Sequence, residues 1–250
     1  MATASCEVAA ITTKGEPESS GVRSVWLRPQ RVVRGTQPLT LERIVGAAVE
    51  LLDEEGIDRL TMRRLADRLG AGAPSLYWHV STKDDVLDLA VDAIFGEVPP
   101  KRSAKHGWRS EVTSVLTSWR AALLRHPWAA ALPARQRPTI GPNFLATMET
   151  LQTALVRAGF GGHGLSAATW VLYNHVMGSA SSESALSISA EERRLGQAQL
   201  RADRDRYPTL ADNGYLYDDD FDGSYRTGLQ YLLDGLEAQR ATARRPTPQT

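Results

Sequence analysis

Cysteine is almost missing from this chain: Cys6 stands alone among 250 residues. One thiol closes no internal disulfide and builds no cysteine metal cluster, and such usage fits a reducing compartment. Long apolar runs are missing too. No stretch of about eighteen apolar residues occurs, which excludes a membrane-spanning helix. The first residues lack the basic-then-apolar pattern of a secretion leader, and the expected location is the cytoplasm. Neither charge is in excess, with 29 basic and 29 acidic side chains. That excludes a protein that coats nucleic acid by bulk charge. It leaves open a sequence-specific binder, which needs cations only locally. Sustained apolar-polar alternation, the mark of a half-buried strand, is absent as well.

Catalytic signatures are equally scarce. No GxSxG or phosphate-loop motif is present. His106, His126, His163 and His175 fall on separate predicted segments. None is spaced with a carboxylate or a cysteine as a metal or nucleophile motif. Asp218, Asp219 and Asp220 stand at a predicted helix start, where consecutive carboxylates point in different directions and suit the helix dipole better than a metal. No catalytic residue, metal ligand or cofactor is assigned, and the chain is expected not to be an enzyme.

What the chain does contain is 42% hydrophobic and 23% charged residues, enough for a packed core. Residues 1–38 have no sustained period and become basic at Arg23, Arg28, Arg31 and Arg34. They read as a flexible arm, either simply solvated or reaching phosphates and a minor groove. Order is expected from Thr40, a plausible N-cap. Leu41, Ile44, Val45, Ala48 and Leu52 share one helical face, and Gly56 ends that helix. Thr61 caps the next helix, which turns Leu65, Ala66 and Leu69 inward. Ser81 and Thr82 each precede an aspartate by three residues, Asp84 and Asp85, which is the capping-box spacing. The helix that follows buries Val86, Leu87, Ala90, Val91 and Ile94, and Pro99-Pro100 stops it. A basic linker over 99–107 marks a boundary. Helical patterns recur at 108–125, 141–158, 164–183, 190–206 and 218–240, with 184–217 broken by Pro208 and Gly214. Residues 241–250 read as a disordered tail.

The most informative stretch is Leu60–Val80, LTMRRLADRLGAGAPSLYWHV. A helix from Met62 to Leu69 is broken by Gly70-Ala71-Gly72 and a second helix reopens at Pro74, which is pre-organised for a first turn. Small Ala73 and Ser75 would let the helix tip approach base edges in a major groove. Arg63, Arg64, Lys83, Tyr77 and Thr61 are suited to phosphate contacts. Spacing alone leaves two readings: a DNA reader, or an ordinary helical corner with Tyr77 and Trp78 in the core. Leu76 and Val80 already occupy the inward face at i and i+4, which favours exposure of Ser75, Tyr77 and Trp78.

The run Leu41–Ala93, with VELLDEEGIDRLTMRRLADRLG, PSLYWHV and the following Lys83, resembles the DNA-binding domain of the tetracycline-repressor (TetR) family. The resemblance implies base or phosphate contacts for Thr61 and Arg63. It implies a recognition helix carrying Ala73, Pro74, Ser75, Tyr77, Trp78 and His79, and a phosphate clamp at Lys83. Gly72 and Ala73 stand where close relatives carry longer polar side chains, so the tetracycline operator is not the expected target.

Beyond the linker, the segments around Trp108–Arg125, GPNFLATMETLQTALVRAGF and FDGSYRTGLQYLLDGLE resemble the family's C-terminal bundle. There, two helices from each subunit form a four-helix dimer interface, matching 164–183 and 218–240 here. Phe221, Tyr225, Leu229, Leu232, Leu233 and Leu236 form a stripe too broad for a lone solvent-facing helix. It faces either a partner subunit or the protomer's own core. Gly178, Ala180, Gly228 and Gly235 would permit close approach. A small-molecule effector is expected between these helices. Trp119 matches an aromatic pocket position of the family, and Trp128, Phe144, Met148, Trp170, Tyr173, Asn174 and His175 are further lining candidates, each of which could equally serve core packing. The family's metal-coordinating histidine is not matched in ALPARQ before Arg137-Pro138, so an aromatic or amphipathic effector is expected rather than metal-bound tetracycline.

The expected fold is all-α: a helix-turn-helix DNA-binding domain of three helices over 39–98, and a larger effector-binding and dimerisation bundle over 105–240. The expected function is a homodimeric repressor released from a palindromic double-stranded DNA operator by a small-molecule effector. The alternative is a ligand-binding or scaffold protein of the same fold without specific DNA reading.

Overall fold

The computed structural model describes residues 39–98, 107–130, 132, 140–186, 188–216 and 219–243. The arm over 1–38, most of the linker, Pro99-Pro100, Arg137-Pro138, Asp218 and the end of the tail lie outside the described residues. Among the described residues every regular element is helical.

The head begins with α1, Leu41–Glu55, where the Thr40 hydroxyl accepts from Arg43 N–H and Gly56, at φ 78°, closes the last turn onto Leu52 O. That φ lies in the left-handed region, which glycine adopts without strain. A single 3-10 turn, Ile57–Arg59, leads to α2, Met62–Arg68, capped by Thr61. The corner after α2 uses one left-handed glycine, Gly70, at φ 61°. Gly72 does not need its freedom: its φ of −72° is ordinary extended backbone. The short helix α3, Ala73–Leu76, starts one residue earlier than Pro74, with the proline inside the first turn. In α4, Lys83–Phe95, one of the two predicted capping boxes forms. Thr82 Oγ1 accepts from Asp85 N–H, and the Asp85 carboxylate accepts from the Thr82 and Ser81 N–H groups.

The body contains α5, Gly107–Arg125, α6, Pro127–Ala130, α7, Pro142–Ala158, and α8, Gly162–Ala185. They are followed by α9, Ala190–Ala202, α10, Pro208–Asp212, and α11, Phe221–Ala243. The helix expected over 190–206 stops at Ala202, and Pro208 opens α10 rather than only breaking a helix. Helix α5 packs on α7 and α8, α8 packs on α11, and α4 packs on α1, α7 and α5. One continuous apolar core therefore runs from Ile44 in α1 to Leu233 in α11.

Two polar anchors set the body's geometry. Arg120, almost fully buried on α5, donates to Ser179 and Glu183 on α8 and to Asp222 on α11, and lies over the Tyr225 ring. The guanidinium's fixed fork suits such three-way ties. Asp92, buried on α4, accepts from the Asn143 and Phe144 N–H groups and so caps the start of α7 from outside. Burial pushes the Asp92 carboxyl above its ordinary value, opposed by those donors. Gly141 is required here, because a Cβ would stand in the Asp92 carboxylate.

Candidate functional site

The α2–α3 corner decides between the two readings of Leu60–Val80. Leu76 and Val80 are buried, whereas Tyr77 is 46% and Trp78 61% exposed. Pro74 and Ser75 are exposed beside them, and Ala73 and His79 are half-buried. The helix itself ends at Leu76, so Tyr77, Trp78 and His79, expected on the recognition helix, stand at its C-cap and in the turn after it. Tyr77 and Trp78 keep about half or more of their surface in water there and present a surface.

The cations around that surface divide into tied and untied. Arg64 pairs with Glu55, and Arg68 pairs with Glu50 and Glu54, so both brace α2 against α1. Arg63 is exposed and has no side-chain partner among the described residues. Lys83 donates from Nζ to Ile57 O at 2.9 Å, which holds its amine beside the start of α2. An ammonium has three donors, so two remain. The Thr61 hydroxyl accepts from Arg64 N–H and keeps its own proton to donate.

The predicted lining residues separate into four groups. Trp119 is buried and meets Phe144 and Tyr173 edge-on, with ring centroids at 6.2 and 5.5 Å. Phe95, at the end of α4, completes this cluster at 5.1 Å from Trp119 and 5.0 Å from Phe144. The sequence pattern that stopped at Ile94 missed Phe95, although it lies four residues after Val91. Met148 packs against the same core one turn beyond Phe144. Among the described residues Trp119 Nε1 has no hydrogen-bond partner, an uncompensated buried donor. Burial raises the Tyr173 hydroxyl pKa. A cavity of about 100 Å³ adjoins the cluster, lined by Phe95, Val98, Val115, Asn143, Thr147 and Thr150 among others. It is small against the roughly 300 Å³ at which ligand pockets usually begin.

Trp170 and Asn174 do not join that cluster. Both lie on the outer face of α8, Trp170 59% exposed with only its edge against Tyr173 at 5.2 Å. Helical phase explains Asn174, one position past the inward Tyr173, while Trp170, three positions before it, reaches only the rim of that face. His175 packs between α8 and α11, stacked on Tyr225 at 5.0 Å and hydrogen-bonded to Tyr225 O. Trp128, expected in the lining, sits at the junction of head and body and donates from Nε1 to Asp53 Oδ1 on α1 at 2.7 Å. The expected stripe on α11 is also divided. Tyr225, Leu229 and Leu233 are buried within the protomer, while Tyr231 on the other face is 71% exposed.

Among the described residues no group of three or more metal-ligating side chains occurs, and no helix is long and apolar enough to cross a membrane. A capped helix-turn-helix with an exposed aromatic tip, fused to a helical body, defines a DNA-binding regulator. The comparisons identify its family. Residues 44–90 match the model for bacterial regulatory proteins of the tetR family, and residues 100–240 match the tetracyclin repressor-like C-terminal domain. The chain is 46% identical over 229 residues to an HTH-type transcriptional regulator of Saccharopolyspora erythraea, covering 91% of this chain and 94% of that one. It is 33% identical to the HTH-type transcriptional repressor DrrR1 of Streptomyces coeruleorubidus, covering 92% of each. Apo ActR of Streptomyces coelicolor superposes with a TM-score of 0.75 at 30% identity, over 84% of this chain and all of that one. ActR has also been solved with actinorhodin bound. This chain belongs to the TetR family of transcriptional regulators.

Proposed function

We propose that the protein is a homodimeric repressor that leaves a palindromic operator when a small, largely apolar aromatic molecule binds its body. The exposed Tyr77–Trp78 tip beside the untied Arg63 carries the DNA half of this reading. Ala73, Pro74 and Ser75 approach base edges, with Trp78 and His79 behind them. Tyr77, Thr61 and Lys83 hold phosphates, and Arg63 reaches a base or a phosphate. None of the residues on α3 is a long amide or a cation, so apolar contact with thymine methyls and the Ser75 hydroxyl supply the readout there.

A two-fold dimer would place two such tips about one helical turn apart, ~34–36 Å. The outer faces of α8 and α11 support it: Trp170, Val171, Asn174 and Gly178 on one helix, Tyr231 and Gly235 on the other, all exposed in the protomer. The effector site is the Trp119, Phe144, Tyr173 and Phe95 cluster, whose unpaired indole N–H would donate to an acceptor atom of the ligand. The adjoining cavity must widen to admit it. Phe95 belongs to α4 and Asp92 ties α4 to α7, so widening moves the helix that supports the head. The ligand shifts the population by no more than its differential affinity for the two conformations. The protein works in the cytoplasm and catalyses no reaction.

Selection of bound fragments from a random DNA pool, at about 0.15 M salt so that non-specific phosphate binding is weakened, tests this. An enriched palindrome is expected, and an aromatic-compound screen for DNA release then finds the effector. A folded dimer that enriches no sequence overturns the reading in favour of a ligand-binding protein that has lost DNA specificity.

A further inference from the structure

Helices α5 and α7 run antiparallel, and aromatic pairs close both ends of the seam between them. Trp119 meets Phe144 edge-on at one end, and Trp108 meets Phe160 at 5.9 Å at the other. The cavity beside the Trp119 cluster opens onto this seam, with Val115 lining it from α5 and Thr147 and Thr150 from α7. One helical turn before Val115, between the cavity and Trp108, stands Glu111. Its side chain is only 4% exposed. Oε2 accepts from Arg157 on α7, whereas Oε1 has no hydrogen-bond partner among the described residues. A buried acceptor left unpaired is destabilising. Arg157, itself 45% exposed, does not require it, since a solvated carboxylate would serve that guanidinium as well.

We propose that Glu111 Oε1 is the far polar contact of the effector site, which selects an extended aromatic molecule with a hydrogen-bond acceptor at one end and a neutral O–H donor at the other. The inference rests on the effector site proposed above. Helix α5 carries two buried, unpaired groups of opposite kind, the Trp119 N–H and the Glu111 oxygen. Glu111, Val115 and Trp119 follow at steps of four, which keeps them on one side of the helix, and eight residues rise about 12 Å. A ligand laid along the seam passes Val115 and reaches both groups. Glu111 does not line the cavity as it stands, so the widening that admits the ligand runs along the seam toward the start of α5. Arg157 decides the chemistry of the far end. Its guanidinium already balances the carboxylate, so a ligand ammonium would bring a second cation beside it, and a ligand carboxylate would face Glu111 as a like charge. A hydroxyl donates to Oε1 without adding charge, and a bond to an ionised acceptor is among the stronger ones.

The test uses the full chain with flavone and anthraquinone as probes. Each is taken as the parent ketone, with one hydroxymethyl group on its outermost ring edge, and as the methyl ether of that group. Calorimetry gives the affinities for wild type, Glu111→Gln and Glu111→Leu, with thermal melts of the unliganded proteins as the folding control. The wild type is expected to bind a hydroxyl form about tenfold tighter than its ether, the least that a hydrogen bond to a charged group supplies. In Glu111→Gln the amide oxygen stays with Arg157 and the NH₂ group faces the ligand, so the preference for the hydroxyl is lost. Glu111→Leu removes the acceptor and leaves Arg157 to water, so the preference is lost there too while the parent ketone still binds. Equal affinity of hydroxyl and ether for the wild type overturns the proposal without any variant, so a folding failure cannot protect it. A loss shared equally by parent, hydroxyl and ether in the variants overturns it as well, because it marks a merely structural role. If the wild type binds none of these ketones, the effector site itself fails and takes this inference with it; if it binds them without reading the hydroxyl, only this inference fails.

Discussion

Arg63 and Asp92 show what single side chains do here, and both make measurable claims. Arg64 and Arg68 are held by carboxylates of α1, whereas Arg63 has no partner among the described residues. Arg63→Ala is therefore expected to leave the melting temperature unchanged. It should weaken operator binding: uniformly across sequences and with a salt slope lower by about 1 if the contact is to phosphate, or mainly at one base pair if it is to a base edge. Affinity and salt slope both unchanged would show that α2 does not face the DNA as proposed. Asp92 is the opposite kind of residue, buried and fully engaged. Asp92→Ala removes the cap on α7 and should cost about 1–2 kcal/mol, as lost caps do. Its titration has a definite sign. A carboxyl raised by burial favours the folded state when protonated, so its contribution is present at low pH and is lost as pH rises through the raised value. Relative to Asp92→Asn, the wild type should gain stability as pH falls from neutral toward the ordinary carboxylate range. Denaturant melts of the pair at several pH values measure this, and a gap independent of pH contradicts it.

At the scale of elements, the long helices were legible, and so was short α3 through Pro74, whereas α6 and α10 were not. Caps at Thr40, Thr61 and Thr82 and the 3.6-residue period placed α1, α2 and α4 within a residue or two. Helices α6 and α10, of four and five residues, are too short to show a period. The site was legible where it is local in sequence, as in the exposed Tyr77 and Trp78. It was illegible where remote helices assemble it: Phe95 on α4, not among the expected lining residues, meets Trp119 on α5 and Phe144 on α7 edge-on. Two glycines test how α8 and α11 are fitted. A Cβ at Gly228 would stand 2.8 Å from His175 Cε1, inside the α8–α11 contact. Gly228→Ala should therefore cost about 1–3 kcal/mol of protomer stability through overpacking, despite the better helix propensity. A Cβ at Gly178 meets nothing within 4 Å. Gly178→Ala should keep or slightly raise protomer stability and weaken dimerisation, if α8 approaches its partner there. Thermal melts and sedimentation distinguish the two sites, and identical behaviour would show that Gly178 lies off the dimer face.

For the whole molecule, the body's outer face matters to DNA because a single head binds weakly. One head offers a four-residue helix and few cations, with 6 basic against 12 acidic side chains over residues 39–98. Such a head gains little from counterion release, so its affinity for a half-site alone is low. Two rigidly joined heads convert the second contact into an intramolecular one, and avidity then exceeds single-head affinity by about 10²–10⁴ when the spacing fits. The joining surface proposed on α8 and α11 carries Trp170 and Tyr231, 59% and 71% exposed in the protomer. Trp170→Glu combined with Tyr231→Glu removes no buried core residue, so the fold and the melting of the head should persist. The same double variant places carboxylates where two apolar faces must meet. Light scattering should report a monomer, and operator affinity should fall by about the avidity factor, while binding to a single half-site stays as in the wild type. A monomer that still binds the full palindrome with undiminished affinity would mean that DNA, rather than α8 and α11, brings the heads together, and the route from the ligand site to the operator would then have to run within one protomer.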